Sequence, residues 1–86
     1  MYQIVLSNQA EKDKKRLKQA RLERRAKALL GVIAENLFKN PPRYETLVGD
    51  LTGFYSRRIN IQHRIVYQVF QEEQAVKILT MWSYYE

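Results

Sequence analysis

The sequence predicts an α+β fold in which helices cover one face of a mostly antiparallel sheet. An alternating apolar run at residues 2–6 favours a first strand, and a helical periodicity follows over residues 8–39. Three further strand-like runs occupy the second half of the chain. Since 86 residues are typical of one domain, we expect residues 1–86 to form a single domain.

The helical region carries two apolar stripes and ends at a pair of prolines. Ser7 is a good N-cap residue for its start. The longer stripe consists of Leu22, Ala26, Leu29, Ile33 and Leu37, and the thinner one before it of Ala10, Leu17 and Ala20. Pro41 and Pro42 end the region, because proline lacks the amide donor. No Pro or Gly precedes Gly31, so the pattern fits one long helix as well as two helices that break near residues 19–22.

The second half predicts a loop and then three strands. We interpret residues 43–52 as the loop, with a short extended piece around residues 44–48. The strands are predicted over residues 53–60, 63–70 and 75–82, with a hairpin between the first two and a polar turn before the third. Alternation divides the middle strand: Ile65, Tyr67 and Val69 point to the helices, and Arg64, Val66 and Gln68 to an open face.

The charge of the chain favours an anionic partner. The net charge is +6, and nine of the fifteen basic residues lie between Glu11 and Lys27. Such a surface attracts the phosphates of nucleic acids over long distances. An acidic protein partner, or a solvated helix face without a ligand, explains the same charge.

Other classes of protein are disfavoured by what the composition lacks. There is no cysteine, which excludes a disulfide scaffold and thiolate metal ligands, and the one histidine and scattered carboxylates show no metal-ligand spacing. We therefore expect neither a metal nor a cofactor. No apolar run approaches the roughly 18–20 residues that span a bilayer, and the start lacks the features of a signal peptide. We expect a cytoplasmic protein without a membrane partner.

The densest chemistry lies in residues 51–67, which read LTGFYSRRINIQHRIVY. Arg57 and Arg58 must point to opposite faces of a regular strand. If Arg58 shares the open face with Arg64, the two guanidinium groups form a clamp suited to a phosphate. The alternative is that these arginines pair with scaffold carboxylates such as Glu45, Asp50 or Glu72.

This run resembles the signature of the YoeB/Txe group of RelE-like toxins. The preceding Glu45, Thr46 and Leu47 and the aromatic end at residues 83–85 fit it as well. The resemblance implies a β-α-α-β-β-β order with two helices, and cleavage of messenger RNA in the A site of the small ribosomal subunit. It also implies a cognate antitoxin as partner, contact with operator DNA only through that antitoxin, and the possibility of a homodimer.

The resemblance assigns roles only where the motif matches. It implies that Glu45 is the general base, that Arg64 stabilises the transition state and that Arg58 binds the phosphate. The final aromatic residue of the family falls on Tyr85. The family usually has a histidine before it as general acid, and this chain has Tyr84, so we expect Tyr84 to donate a proton or orient the phosphate, as a phenol protonated at pH 7 can. The alternative for both tyrosines is a role in packing at the end of the chain or in contact with the antitoxin.

Further residues and alternatives complete the predictions. The basic helical region is expected to grip ribosomal RNA, with Lys12, Lys15, Arg16 and Arg24 as candidate contacts. By alternation His63 faces away from Arg64, which favours a structural role. Three other functions fit parts of the sequence: a catalytically inactive corepressor module, a gyrase-poisoning relative, and a generic RNA-binding protein.

Overall fold

Two helices pack on one face of a five-stranded sheet. The computed structural model describes residues 1–36, 38, 44–46 and 53–84. Residues 83 and 84 are described by their backbone alone. The elements are β1 (Gln3–Leu6), α1 (Asn8–Gln19), α2 (Glu23–Glu35), β2 (Tyr44–Thr46), β3 (Phe54–Arg58), β4 (His63–Phe70) and β5 (Ala75–Tyr84). The strand order is β1-β5-β4-β3-β2. Only the pairing of β1 with β5 is parallel among these, so the predicted mostly antiparallel sheet is confirmed.

The helical region is two helices, and the break is a Schellman motif. Ser7 caps α1 as predicted, because its hydroxyl accepts from the amide of Ala10 at 3.0 Å. At the other end the amide of Leu22 donates to the carbonyl of Leu17 and that of Arg21 to the carbonyl of Lys18. Arg21 adopts the left-handed conformation, with φ of 61°, which this motif requires and glycine usually supplies. The turn lets both apolar stripes pack on one sheet.

Two details of the helical prediction are wrong. Helix α2 ends at Glu35, four residues before the predicted Lys39, because Asn36 is already extended. In α1 the buried residues are Ala10, Asp13 and Leu17, whereas Ala20 is exposed at the C-cap. Asp13 therefore takes the middle place in the inner stripe of α1, at the helical spacing of three and four residues. The prediction that Leu37 extends the second stripe, and the prolines at residues 41 and 42, lie outside the described residues.

The core lies between the helices and the inner face of the sheet. Its fully buried members include Ala10, Leu17 and Ile33 from the helices and Ile65, Tyr67, Val76, Ile78 and Met81 from the strands. Burying one such large side chain stabilises the fold by about 1.5–3 kcal/mol. Along β4 buried and partly exposed residues alternate from His63 to Gln68, which confirms the predicted division into an inner and an open face.

Candidate active site on the open face of the sheet

The register of β2, β3 and β4 places three of the predicted site residues on one face. Glu45 pairs with Ser56, Ser56 pairs with Val66, and Arg58 pairs with Arg64. Cross-strand partners share a face, and so do residues two apart along a strand. Glu45, Arg58 and Arg64 therefore lie together on the open face, as the signature predicts.

The spacing of these positions suits an anion the size of one phosphodiester. Directly opposed residues such as Arg58 and Arg64 have Cβ atoms about 4.5–5.5 Å apart, and Glu45 is a diagonal neighbour of Arg58 at roughly 7–8 Å. Two opposed guanidinium groups repel each other, and an anion between them removes that repulsion. Glu45 and Arg64 are partly buried and Arg58 is exposed, so solvent reaches the group. All three also have partners within the protein.

Arg58 stands at the rim of this face. It lines a groove of about 260 Å³ together with Ile59 and four residues of α2: Arg25, Ala28, Leu29 and Val32. The groove therefore connects the end of β3 with α2 beside the open face.

The inner face behind the site holds a buried arginine among aromatic rings. Arg57 is 1% exposed, and its Nε donates to the Oη of Tyr67 at 3.2 Å. Its guanidinium carbon lies 5.2 Å from the centre of the Tyr44 ring, within cation–π range. Burial raises the pKa of the Tyr67 phenol, partly offset by the hydrogen bond and charge of Arg57, so the phenol stays neutral and accepts that bond. Since Tyr44 belongs to β2, these contacts hold the short edge strand that carries Glu45.

The signature histidine lies on the inner face. His63 is 5% exposed and stacks on Trp82 of β5, with ring centroids 3.9 Å apart. It therefore faces away from Arg64, as alternation predicts. The backbone of β5 continues beyond Trp82, where Ser83 pairs with Arg64 and Tyr84 with His63. Tyr85, the other predicted tyrosine, lies outside the described residues.

The basic residues of the helices lie on the side of the sheet opposite Glu45. Lys12, Lys15, Arg16 and Arg24, the predicted RNA contacts, are all exposed. Of these four residues, Arg24 lines a cleft of about 630 Å³ at the α1–α2 turn. The cleft is also lined by Lys18, Arg21, Glu23, Arg25 and Lys27. Glu23 forms an ion pair with Lys27 at 3.1 Å. The other lining residues are all basic, so the cleft is strongly positive. The sequence does not single out this cleft, because its members converge only once the turn is formed.

Two negative findings apply to the described ranges alone. No three His, Cys, Asp or Glu side chains come together there in a way that could hold a metal ion. None of the helices in those ranges is long and apolar enough to cross a membrane.

A two-helix layer on a mostly antiparallel sheet, with Glu45, Arg58 and Arg64 on its open face, fits the class of RelE-like toxins that the signature predicts. Comparisons with known proteins then give the family. The model of the YoeB-like toxins of bacterial type II toxin–antitoxin systems matches residues 8–85. The chain belongs to this family.

Individual relatives agree with the family match. The chain is 36% identical to the toxin YoeB of Streptomyces coelicolor, over 87% of this chain and 81% of that protein. A YoeB/ParE toxin from Agrobacterium tumefaciens superposes with a TM-score of 0.86 at 26% identity, over 96% of this chain and 99% of that one. The YoeB of Staphylococcus aureus, 34% identical, is solved as a dimer and in a YoeB–YefM complex. Those two structures give TM-scores of 0.82 and 0.81 and cover 98% and 99% of both chains.

Proposed function

We propose that this toxin is a metal-independent endoribonuclease that cuts messenger RNA in the ribosomal A site and so stops translation. The observation that carries the proposal is the common face of Glu45, Arg58 and Arg64. In this proposal residues 1–86 act as one domain, in the cytoplasm where ribosomes are. No cofactor takes part.

The three residues supply two of the three groups that the reaction needs. The Glu45 carboxylate takes the proton of the RNA 2′-hydroxyl, whose oxygen attacks the adjacent phosphorus. Arg58 and Arg64 stabilise the dianionic phosphorane, a kind of electrostatic stabilisation that is often the largest single contribution to catalysis. The bond from phosphorus to the 5′-oxygen then breaks, leaving a 2′,3′-cyclic phosphate and a 5′-hydroxyl.

The third group is an acid for the leaving 5′-oxygen, and we assign it to Tyr84. A phenol has a pKa of about 10 and is protonated at neutral pH, so it can donate where an arginine in practice cannot. The assignment rests on this chemistry and on the resemblance to the family; the backbone of β5 reaches this end of the sheet, where Ser83 pairs with Arg64 and Tyr84 with His63. Tyr85 supports Tyr84 or stacks on a base.

The ribosome contributes orientation and a second set of contacts. Holding the messenger RNA in an attack-ready geometry is worth up to about 7–11 kcal/mol, which compensates for the weaker acid. Lys12, Lys15, Arg16 and Arg24 lie on the helical side, away from Glu45. They are therefore placed to hold ribosomal RNA of the small subunit while the open face holds the messenger RNA.

A cognate antitoxin and a second copy of the chain are the proposed protein partners. The Staphylococcus aureus relative is solved with YefM and as a dimer, and similarity to it at 34% identity supports both for this chain. Contact with operator DNA is proposed only through the antitoxin. The net charge of +6 favours an acidic antitoxin segment.

The test is primer extension on a messenger RNA that is translated in vitro with the purified toxin. We expect Glu45→Gln to lower the cleavage rate by about 10²–10⁴-fold and Arg64→Ala by about 10²–10³-fold. Gln68→Ala is the matched control, since Gln68 lies on the same strand and face as Arg64 and is partly exposed. Cosedimentation with ribosomes shows whether each variant still binds. Full activity of folded Glu45→Gln would refute the proposal.

A second candidate is a corepressor module that binds antitoxin without cleaving RNA. The observation that favours it is Tyr84, which replaces the usual histidine of the family. It predicts intact messenger RNA with the wild-type protein in the same assay, together with tight binding to the antitoxin.

A further inference from the structure

The last strand is displaced along its neighbour at two register shifts. Gln68 pairs with Lys77, and this register, continued without interruption, would place Met81 opposite Arg64. Instead Ser83 lies opposite Arg64. The reason is that β5 has one extra residue before the Val66–Thr80 pair and one extra residue after it. Two residues correspond to about 7 Å along a strand. The bulges therefore decide which part of the chain reaches Arg64.

Asp13 supplies the hydrogen bonds that the bulged strand cannot obtain from β4. Its side chain is completely buried, and Oδ2 accepts from the Thr80 hydroxyl at 2.7 Å and from the Met81 amide at 3.0 Å. The Thr80 hydroxyl in turn accepts from the amide of Trp82 at 3.3 Å. A bulge leaves amides without ladder partners, and a buried amide without an acceptor is costly. Asp13 and Thr80 together satisfy two successive amides at this bulge.

A carboxylate at this position needs a specific explanation. Asp13 stands between Ala10 and Leu17 in the inner stripe of α1, where an apolar side chain would be buried at far lower cost. A second contact fixes its orientation, since Oδ1 accepts from the side-chain amide of Gln9 at 2.9 Å. The helix therefore presents one fixed acceptor to one particular point of β5.

We propose that Asp13 is a positioning residue for the site: through the Thr80–Met81 bulge it fixes where the end of β5 lies against Arg64. This inference rests on the proposed function, in which the residues that follow Trp82 donate to the bound phosphodiester. Asp13 itself is on the inner face and touches no reacting atom. Loss of its contacts moves the donor relative to the arginines, and a displacement of about 1 Å can reduce a rate by 10²-fold.

Two variants test the proposal, and the second has a conservative partner. Asp13→Asn keeps the shape of the side chain but replaces one acceptor oxygen by a donor. Thr80→Val keeps the shape of Thr80 and removes its hydroxyl, and Thr80→Ser restores the hydroxyl. Glu11→Gln is the control on the same helix, because Glu11 is exposed and its ion pair with Lys14 lies at the surface.

Two measurements separate positioning from stability and from the proposed function. In ribosome-dependent cleavage we expect Asp13→Asn and Thr80→Val to lower kcat by about 10²-fold with KM nearly unchanged. Thr80→Ser should restore kcat and Glu11→Gln should leave it unaltered. Independently of activity, the fluorescence of Trp82, the sole tryptophan of the chain, and the hydrogen exchange of the Met81 and Trp82 amides should change in both variants.

Each outcome decides one question. Unchanged Trp82 fluorescence and unchanged amide exchange in folded Asp13→Asn would overturn the positioning role. So would an equal loss of kcat in Thr80→Val and Thr80→Ser. If the wild-type protein does not cleave RNA at all, the proposed function fails, while the fluorescence and exchange results still show whether Asp13 fixes the end of β5.

Discussion

The imidazole ring of His63 lies against the indole ring of Trp82, with 23° between the ring planes. This contact joins the start of β4 to β5 on the inner face, directly behind the strand position of Arg64. The only histidine of the chain is thus part of the packing that supports the open face. It is not placed to exchange protons with a substrate on that face.

Replacing His63 should affect stability more than cleavage. His63→Gln loses the ring stacking, worth about 0.5–1.5 kcal/mol, which lowers Tm by about 4–8 °C for each kcal/mol in a domain of this size. Cleavage measured well below Tm should stay close to that of the wild type. Thermal unfolding and primer extension check the two halves of this prediction. A large loss of cleavage with an unaltered Tm would mean that His63 takes part in the chemistry.

The identity of the acid can be tested at position 84. Tyr84→Phe removes the proton donor and should slow cleavage by about 10²-fold or more. Tyr84→His should cleave faster than Tyr84→Phe below about pH 6.5, because the imidazolium can donate a proton. Its rate should fall as pH rises above about 6.5, where the imidazolium loses that proton. The wild-type phenol should show no such loss below about pH 9. An unchanged rate in Tyr84→Phe across this range removes Tyr84 from the mechanism.

The basic cleft at the α1–α2 turn predicts a particular salt dependence. In binding to purified small ribosomal subunits, the double variant Arg24→Ala, Arg25→Ala should reduce the slope of log K against log salt by about 1 for each lost phosphate contact. Lys77→Ala is the control for a loss of charge elsewhere, since Lys77 is exposed on β5 outside the cleft. Equal slopes for the variant and the wild type would exclude the cleft from RNA binding.

Asp13 predicts a pH dependence of stability on the acid side. Burial raises the pKa of its carboxyl group, but hydrogen bonds from Met81, Thr80 and Gln9 and the charge of Arg16 outweigh it and lower the pKa below 3.8. A lowered folded-state pKa contributes stability that is complete above about pH 4 and is lost as pH falls through the folded-state value. Asp13→Asn should therefore be less stable than the wild type by about 1–3 kcal/mol at pH 7, and this difference should shrink below pH 4. Urea unfolding at several pH values measures it. A difference that does not change with pH would contradict the assignment.

How far the sequence predicts the structure depends on whether the signal is local. The N-cap role of Ser7 and the alternation of buried and partly exposed residues along β4 depend on neighbouring residues, and both are found as predicted. The helix break is not decided by the sequence because an arginine, Arg21, takes the left-handed position at a cost of about 1–2 kcal/mol that the packing of both helices offsets. No propensity marks such a position.

The missed features of the site all depend on contacts between distant segments. Asp13 looks like one more charged residue on a basic helix, and its burial follows only from the bulge that it meets 67 residues later at Thr80. The bulge breaks the alternation of β5, which pattern analysis assumes to be regular. For Arg57 the sequence predicts the face opposite Arg58, but the aromatic cluster that surrounds it comes from β2, β3 and β4 together.

The parallel pairing of β1 with β5 determines when the sheet can form during synthesis. β5 follows all the other described elements in the chain, yet it lies between β1 and β4 and receives the contacts of Asp13. The sheet therefore cannot close during synthesis until its final strand has emerged, since contacts this distant in sequence form late. In the proposed function the arrangement of β4 and β5 beside Arg64 is therefore completed only after β5 has left the ribosome, so a chain that has not yet reached β5 should not cleave RNA.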